Sequence, residues 1–182
     1  YGIVSFADSD NLWKVLLGGL GFALATLTRL SSLLCFFLTT FYLERKLRQL
    51  DDRGIDSRRV RMIWWSVLIL SISIIAIYNW HRFGSILNFG YPGESWTTPL
   101  FEGVYGLLFS PGKGIFWYSP VLLPGILGMV TLYSQRPAEV ILLLAFWLSQ
   151  LFFHAGFWAW WGGDCWGPRY LIPVLPFGVI FV

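Results

Sequence analysis

The sequence predicts an all-α protein, a polytopic transmembrane helical bundle of about five to six membrane segments, and three observations carry that expectation. The first is composition: of 182 residues, 56% are hydrophobic, 19% aromatic and only 13% charged, which is about half the charge of an ordinary soluble chain. The second is that residues 62–80, 114–135 and 140–163 run for 19, 22 and 24 positions without Asp, Glu, Lys or Arg. As a helix, each can cross a hydrocarbon core of about 30 Å. The third is where the charge sits. Residues 44–61 hold seven of the thirteen Lys and Arg (Arg45, Lys46, Arg48, Arg53, Arg58, Arg59, Arg61) and four of the ten acids (Glu44, Asp51, Asp52, Asp56), so their excess equals the net charge of +3. The pI of 9.0 therefore reports one basic loop, placed on the cytoplasmic side by the positive-inside rule. No nucleic-acid partner is expected; membrane lipids are.

Taken in order, the first apolar stretches are 15–28 and 30–43, fourteen residues each and parted by Arg29. Each is about 21 Å long as a helix, short of a full crossing. A single continuous helix would place Arg29 near its centre at a cost of about 2.5–3.5 kcal/mol. Paired short membrane segments meeting near Arg29 are expected over 15–43, with Lys14 and Glu44 on the cytoplasmic side and Arg29 reaching the outer half of the bilayer. Gly18, Gly19 and Gly21 would permit close helix packing there.

A span then runs outward over 62–78. Residues 79–118 form an extracytoplasmic segment whose many Gly and Pro residues exclude a simple helix, although 100–110 is apolar enough for an interfacial helix. Residues 119–133 return inward to a short turn containing Arg136, and 140–158 runs out again. Residues 159–169 form an extracytoplasmic loop rich in Trp and Gly, and an inward span begins at Tyr170. The chain opens at Tyr1 and closes inside an apolar run at Val182, so it reads as a single transmembrane domain fragment of a longer protein.

Candidate site residues are few. In the loop, Trp158, Trp160, Trp161 and Trp166 accompany Gly162, Gly163, Asp164, Gly167, Pro168, Arg169 and Tyr170. An aromatic belt at headgroup level accounts for part of this. It does not account for the glycines, for Asp164, or for Arg169, which can pair with Asp164 or grip a phosphate through two parallel hydrogen bonds. Arg29 is an ionisable group among apolar segments, open to function or to snorkelling. Arg82 follows His81 at the outer end of a span, where a solvated cap and an anion site are both open. Cys35 and Cys165 lie in unlike surroundings and suggest no disulfide. No ligand spacing for a metal is present, His81 and His154 sit at unlike depths for haem, and Lys113 lacks the context of a phosphate loop. Arg29, Arg82 and Arg169 are thus the candidate anion-binding groups, and Trp160, Trp161, Asp164 and Tyr170 the candidate ligand contacts beside them. No catalytic residue is assigned and no cofactor is evident.

Four strings carry a resemblance: 79–85 (Asn-Trp-His-Arg-Phe-Gly-Ser) with Gly90-Tyr91; 106–120 (Gly-Leu-Leu-Phe-Ser-Pro-Gly-Lys-Gly-Ile-Phe-Trp-Tyr-Ser-Pro); 160–163 (Trp-Trp-Gly-Gly) with 167–171 (Gly-Pro-Arg-Tyr-Leu); and the run from Gly21 to Arg29. Together they resemble the C-terminal part of the membrane domain in glycosyltransferase family 39. That family includes relatives of the protein O-mannosyltransferases and lipid A aminoarabinose transferases, within the GT-C superfamily. The resemblance implies a bacterial inner-membrane transferase of the cell envelope that uses a polyprenyl-phosphate-linked sugar as donor and acts on an acceptor at the outer face, with donor lipid-phosphate binding by Arg29, Arg82 and Arg169 and substrate binding by Trp160, Trp161, Asp164 and Tyr170. The family's catalytic carboxylates belong to a first outer loop, and no position here matches that motif. Asp8 and Asp10 are expected on the cytoplasmic side and do not inherit the role. A lipid-linked sugar transporter or flippase, or a non-enzymatic membrane subunit, would also use intramembrane Arg and outer aromatics; a transporter would be expected to show paired interrupted helices, and one interruption is seen.

Overall fold

A computed structural model of the chain describes residues 12–50, 56–90 and 93–179. Among them there are helices, turns and bends but no strand. The chain divides into two compact units, Tyr1–Pro92 and Gly93–Val182. Two helices are long and apolar enough to cross a membrane, one in each unit.

The first unit contains α1 (Leu12–Thr28), α2 (Ser32–Leu50) and α3 (Ser57–Phe83). The break between α1 and α2 is a tight turn, in which the Arg29 and Leu30 carbonyls accept from the Ser32 and Leu33 amides at 3.0 Å each. Helix α2 outlasts its apolar stretch, because Glu44, Arg45, Lys46, Leu47 and Arg48 are all good helix formers. Helix α3 opens on Asp56, whose carboxylate accepts from the Arg58 and Arg59 amides at 3.2 Å, and closes on Gly84 in the left-handed conformation at φ 70°. The segment between these helices is therefore shorter than the loop expected over 44–61; Asp51, Asp52 and Arg53 lie outside the described residues. At its other end α3 carries helical structure through Asn79 to Phe83, into the segment expected as loop.

Helices α1 and α3 pack along one seam. Gly19 and Phe22 of α1 lie against Val67 and Trp64 of α3. An added Cβ on Gly19 would come within 3.2 Å of a Val67 methyl, and the Phe22 ring meets Trp64 edge-on at 5.7 Å. Val15, Thr26, Val60 and Ser71 are all buried, which completes the same four-three-four spacing on each helix in opposite order. The pair is thus antiparallel. This reverses the expected arrangement: Lys14 comes level with the middle of α3, and Arg29, one turn past Thr26 and still bonded through its amide to the Ala25 carbonyl at 2.8 Å, comes level with the start of α3. Arg29 and Glu44 share the basic end of α3. Packing, not hydropathy, sets that direction. Helix α2 meets α3 near Trp64, which stacks on Phe36 at 4.5 Å and donates its indole N–H to Thr40 Oγ1 at 2.8 Å.

The second unit contains α4 (Leu100–Phe109), α5 (Ile115–Tyr118), α6 (Leu122–Tyr133), α7 (Pro137–Ala155), a 3-10 turn (Ile172–Val174) and α8 (Leu175–Val179). Its core takes Leu107, Ile115, Leu122, Leu151, Ala155, Leu171 and Val174 from these elements in turn. Helix α6 has 12 residues, about 18 Å, and is too short to cross the membrane alone; Ser119-Pro120 bars an earlier start because the residue before proline is pushed out of helical geometry. Helices α4 and α7 approach so closely that a Cβ on Gly103 would sit 1.9 Å from the Ala155 carbonyl oxygen.

Candidate functional site

The Trp- and Gly-rich loop of the second unit begins where α7 ends. The last carbonyls of a helix lack intrahelical partners, and a strap from residues 95–98 bonds one of them and two carbonyls just beyond the helix. Trp96 donates its indole N–H to the Phe153 carbonyl at 2.9 Å, Thr98 Oγ1 donates to the Phe157 carbonyl at 3.0 Å, and the Thr98 amide donates to the Gly156 carbonyl at 3.2 Å. In return the Trp158 amide donates to the Ser95 carbonyl at 2.9 Å. The far side of the loop is held by Lys113, which extends from the turn after α4. Its ammonium donates to the Gly163 carbonyl at 2.7 Å and to the Cys165 carbonyl, and lies 3.8 Å from Cys165 Sγ. Lys113 is a tether whose donors are occupied by backbone.

This frame sorts the loop side chains into two sets. Trp160 turns inward, lying over Gly106 and packing on the core. Tyr170 also turns inward and stacks on His154 with ring centres 4.7 Å apart. His154 is buried, its Nδ1 2.8 Å from the Gln150 carbonyl oxygen. Trp160 and Tyr170, assigned to substrate from the sequence, are thus half-buried and held by these packing contacts. Trp161, Asp164, Trp166 and Arg169 are exposed; Trp166, named with the loop but not assigned to substrate, is 89% exposed. Asp164 and Arg169 form no ion pair among the described residues. The Arg169 guanidinium lies 5.2 Å from the Tyr170 ring centre, and its stem passes Gly162, where a Cβ would be 3.1 Å from Arg169 Cγ and where φ is 75°. Glycine at 162 therefore both makes the turn and admits the arginine.

In the first unit Arg82 stands at the end of α3 away from Arg29. A helix from Arg58 to Arg82 is about 36 Å long, so Arg29 and Arg82 are not neighbours and cannot share one phosphate. Arg82 donates to the Tyr78 hydroxyl and lies over the Phe83 ring at 5.5 Å. With Ile74, Ile77, Tyr78 and His81 it lines a shallow groove of about 540 Å³. Tyr91 lies outside the described residues, as do Asp8 and Asp10.

Comparison with protein-family models, curated proteins and solved structures finds no match to this chain.

No group of three His, Cys, Asp or Glu suited to a metal ion occurs among the described residues. What the loop offers chemically is a guanidinium and a carboxylate without ion-pair partners among the described residues, and three exposed indoles, Trp158, Trp161 and Trp166, on a frame pinned at both edges. A guanidinium suits a phosphate, a carboxylate accepts from hydroxyls, and indole faces suit apolar and sugar-ring surfaces.

Proposed function

We propose that the chain is part of an integral-membrane glycosyltransferase that moves a sugar from a polyprenyl-phosphate-linked donor to an acceptor on the extracytoplasmic face. In this reading it belongs to a polytopic GT-C-like bundle in the bacterial cytoplasmic membrane, with the basic end of the first unit on the cytoplasmic side. Arg169 holds the donor phosphate, Asp164 takes sugar hydroxyls, and Trp161 and Trp166 line the approach of the lipid-linked sugar. Arg82, on the first unit, is a second phosphate candidate at an apolar groove. Arg29 drops out, because it shares the basic end of α3. The catalytic carboxylate is not assigned to any position here.

The observation that carries the reading is the exposed Arg169, without an ion-pair partner among the described residues, beside exposed indoles on a loop fixed by Lys113. A fixed cation at a membrane surface stabilises the charge that develops on a departing phosphate without reorganising. The similarity of 79–85, 106–120, 160–163 and 167–171 to family 39 transferases supports the same chemistry.

The test is retention of decaprenyl phosphate by the purified protein in neutral detergent, read by native mass spectrometry against decaprenol. Decaprenyl phosphate should bind better than the alcohol, and Arg169→Ala should remove about tenfold or more of that preference, as expected for a hydrogen-bonded charge. Equal binding of the two lipids to the unaltered protein would overturn the reading.

A further inference from the structure

Helix α2 changes character along its length: it is uncharged up to Leu43 and then carries Glu44, Arg45, Lys46 and Arg48. One face of it, comprising Cys35, Phe36, Thr39, Tyr42, Leu43 and Leu47, is buried. On the other, Phe37 and Phe41 are 53% and 72% exposed and are followed at helical spacing by the exposed Arg45 and Arg48. With Thr40 and Glu44 these side chains line a shallow groove of about 570 Å³. Its carboxylate is already engaged: Arg61 Nε donates to both Glu44 oxygens at 2.8 and 3.1 Å, and Arg61 Nη2 donates to one of them at 3.0 Å. Arg45 and Arg48 have no ion-pair partner among the described residues. The stripe therefore runs from bare aromatic surface to positive charge without an ion-pair partner among the described residues.

We propose that this stripe binds an anionic phospholipid of the leaflet at the basic end of the first unit, with acyl chain along Phe37 and Phe41 and phosphate between Arg45 and Arg48. The order of chemistry along the helix matches the order along a lipid, from hydrocarbon to headgroup. Residues three apart on a helix are neighbours, so both guanidiniums reach the oxygens of one phosphate, and guanidinium matches phosphate in shape as well as charge. An acidic protein segment would satisfy the arginines and leave both phenylalanines in water; a lipid covers all four. The site is independent of glycosyl transfer, and its test uses no sugar donor.

The purified 182-residue chain in neutral detergent is titrated with dioleoylphosphatidylglycerol and with dioleoylphosphatidylcholine, and bound lipid is read by native mass spectrometry. A basic side chain at an anionic lipid surface is worth about fivefold in affinity. The unaltered chain should prefer phosphatidylglycerol, and Arg45→Ala with Arg48→Ala should lose about thirtyfold for that lipid with little change for phosphatidylcholine. Phe37→Ser with Phe41→Ser should weaken both lipids and keep the preference. Arg58→Ala with Arg59→Ala, which removes two other exposed arginines at the same end, should leave it intact. Equal binding of the two lipids to the unaltered chain, or equal losses from the two arginine pairs, would overturn the proposal.

Discussion

Lys113 spends its charge on backbone. The ammonium is directed at two carbonyls and a thiol sulfur of a loop that has no regular hydrogen-bond ladder of its own, so one side chain fixes residues that neither helix nor sheet would hold. Replacing it by Met keeps the stem and removes the donors. Hydrogen exchange at amides 162–167 should then accelerate about tenfold, in keeping with the value of a charged hydrogen bond; unchanged exchange would show that the loop is held by packing alone. The sequence displays Lys113 only as a poor likeness of a phosphate loop, because its partners are carbonyls fifty positions away and carbonyls carry no residue-type signal. It shows equally little of which indoles face outward. Trp160 and Trp161 are adjacent and identical in type, yet one covers Gly106 and the other is exposed; a loop without a period gives no rule to part them.

Helix boundaries follow a mixture of legible and hidden causes. The apolar cores of α3 and α7 are plain in the sequence because uncharged runs of that length are rare in other settings. The continuation of α2 through its charged residues is not, since hydropathy marks where a segment leaves an apolar solvent and propensity decides where the helix stops. Close approach of α4 to α7 is another property that composition does not reveal. Gly103 reads as a weak point in a short helix, whereas its missing Cβ is what lets the Ala155 carbonyl come near. Gly103→Ala should destabilise the second unit by about 1–3 kcal/mol through overpacking, seen as a lower midpoint in thermal unfolding in detergent. Gly112→Ala, where an added Cβ meets nothing within 4 Å, should have little effect.

At the scale of the whole molecule, the all-helical class and two helices fit to cross a membrane follow from composition and run length. The direction of α1 does not, because hydropathy counts apolar residues without saying which helix they meet. The four-three-four seam decides it, and the seam can be probed chemically. In a Cys35→Ser, Cys165→Ser background, Val15→Cys with Ser71→Cys should be joined readily by a short bifunctional thiol reagent, whereas Val15→Cys with Val60→Cys should not. The opposite pattern would mean that the helices run parallel. The strap of residues 95–98 bears on biogenesis. Trp96 and Thr98 meet carbonyls 57 and 59 positions downstream, which at roughly 5–20 residues per second of synthesis leaves them waiting about 3–12 s for their partners. Through that interval the aromatic residues of the strap and of α4 have no docking surface, so they stay uncovered until the second long helix has emerged.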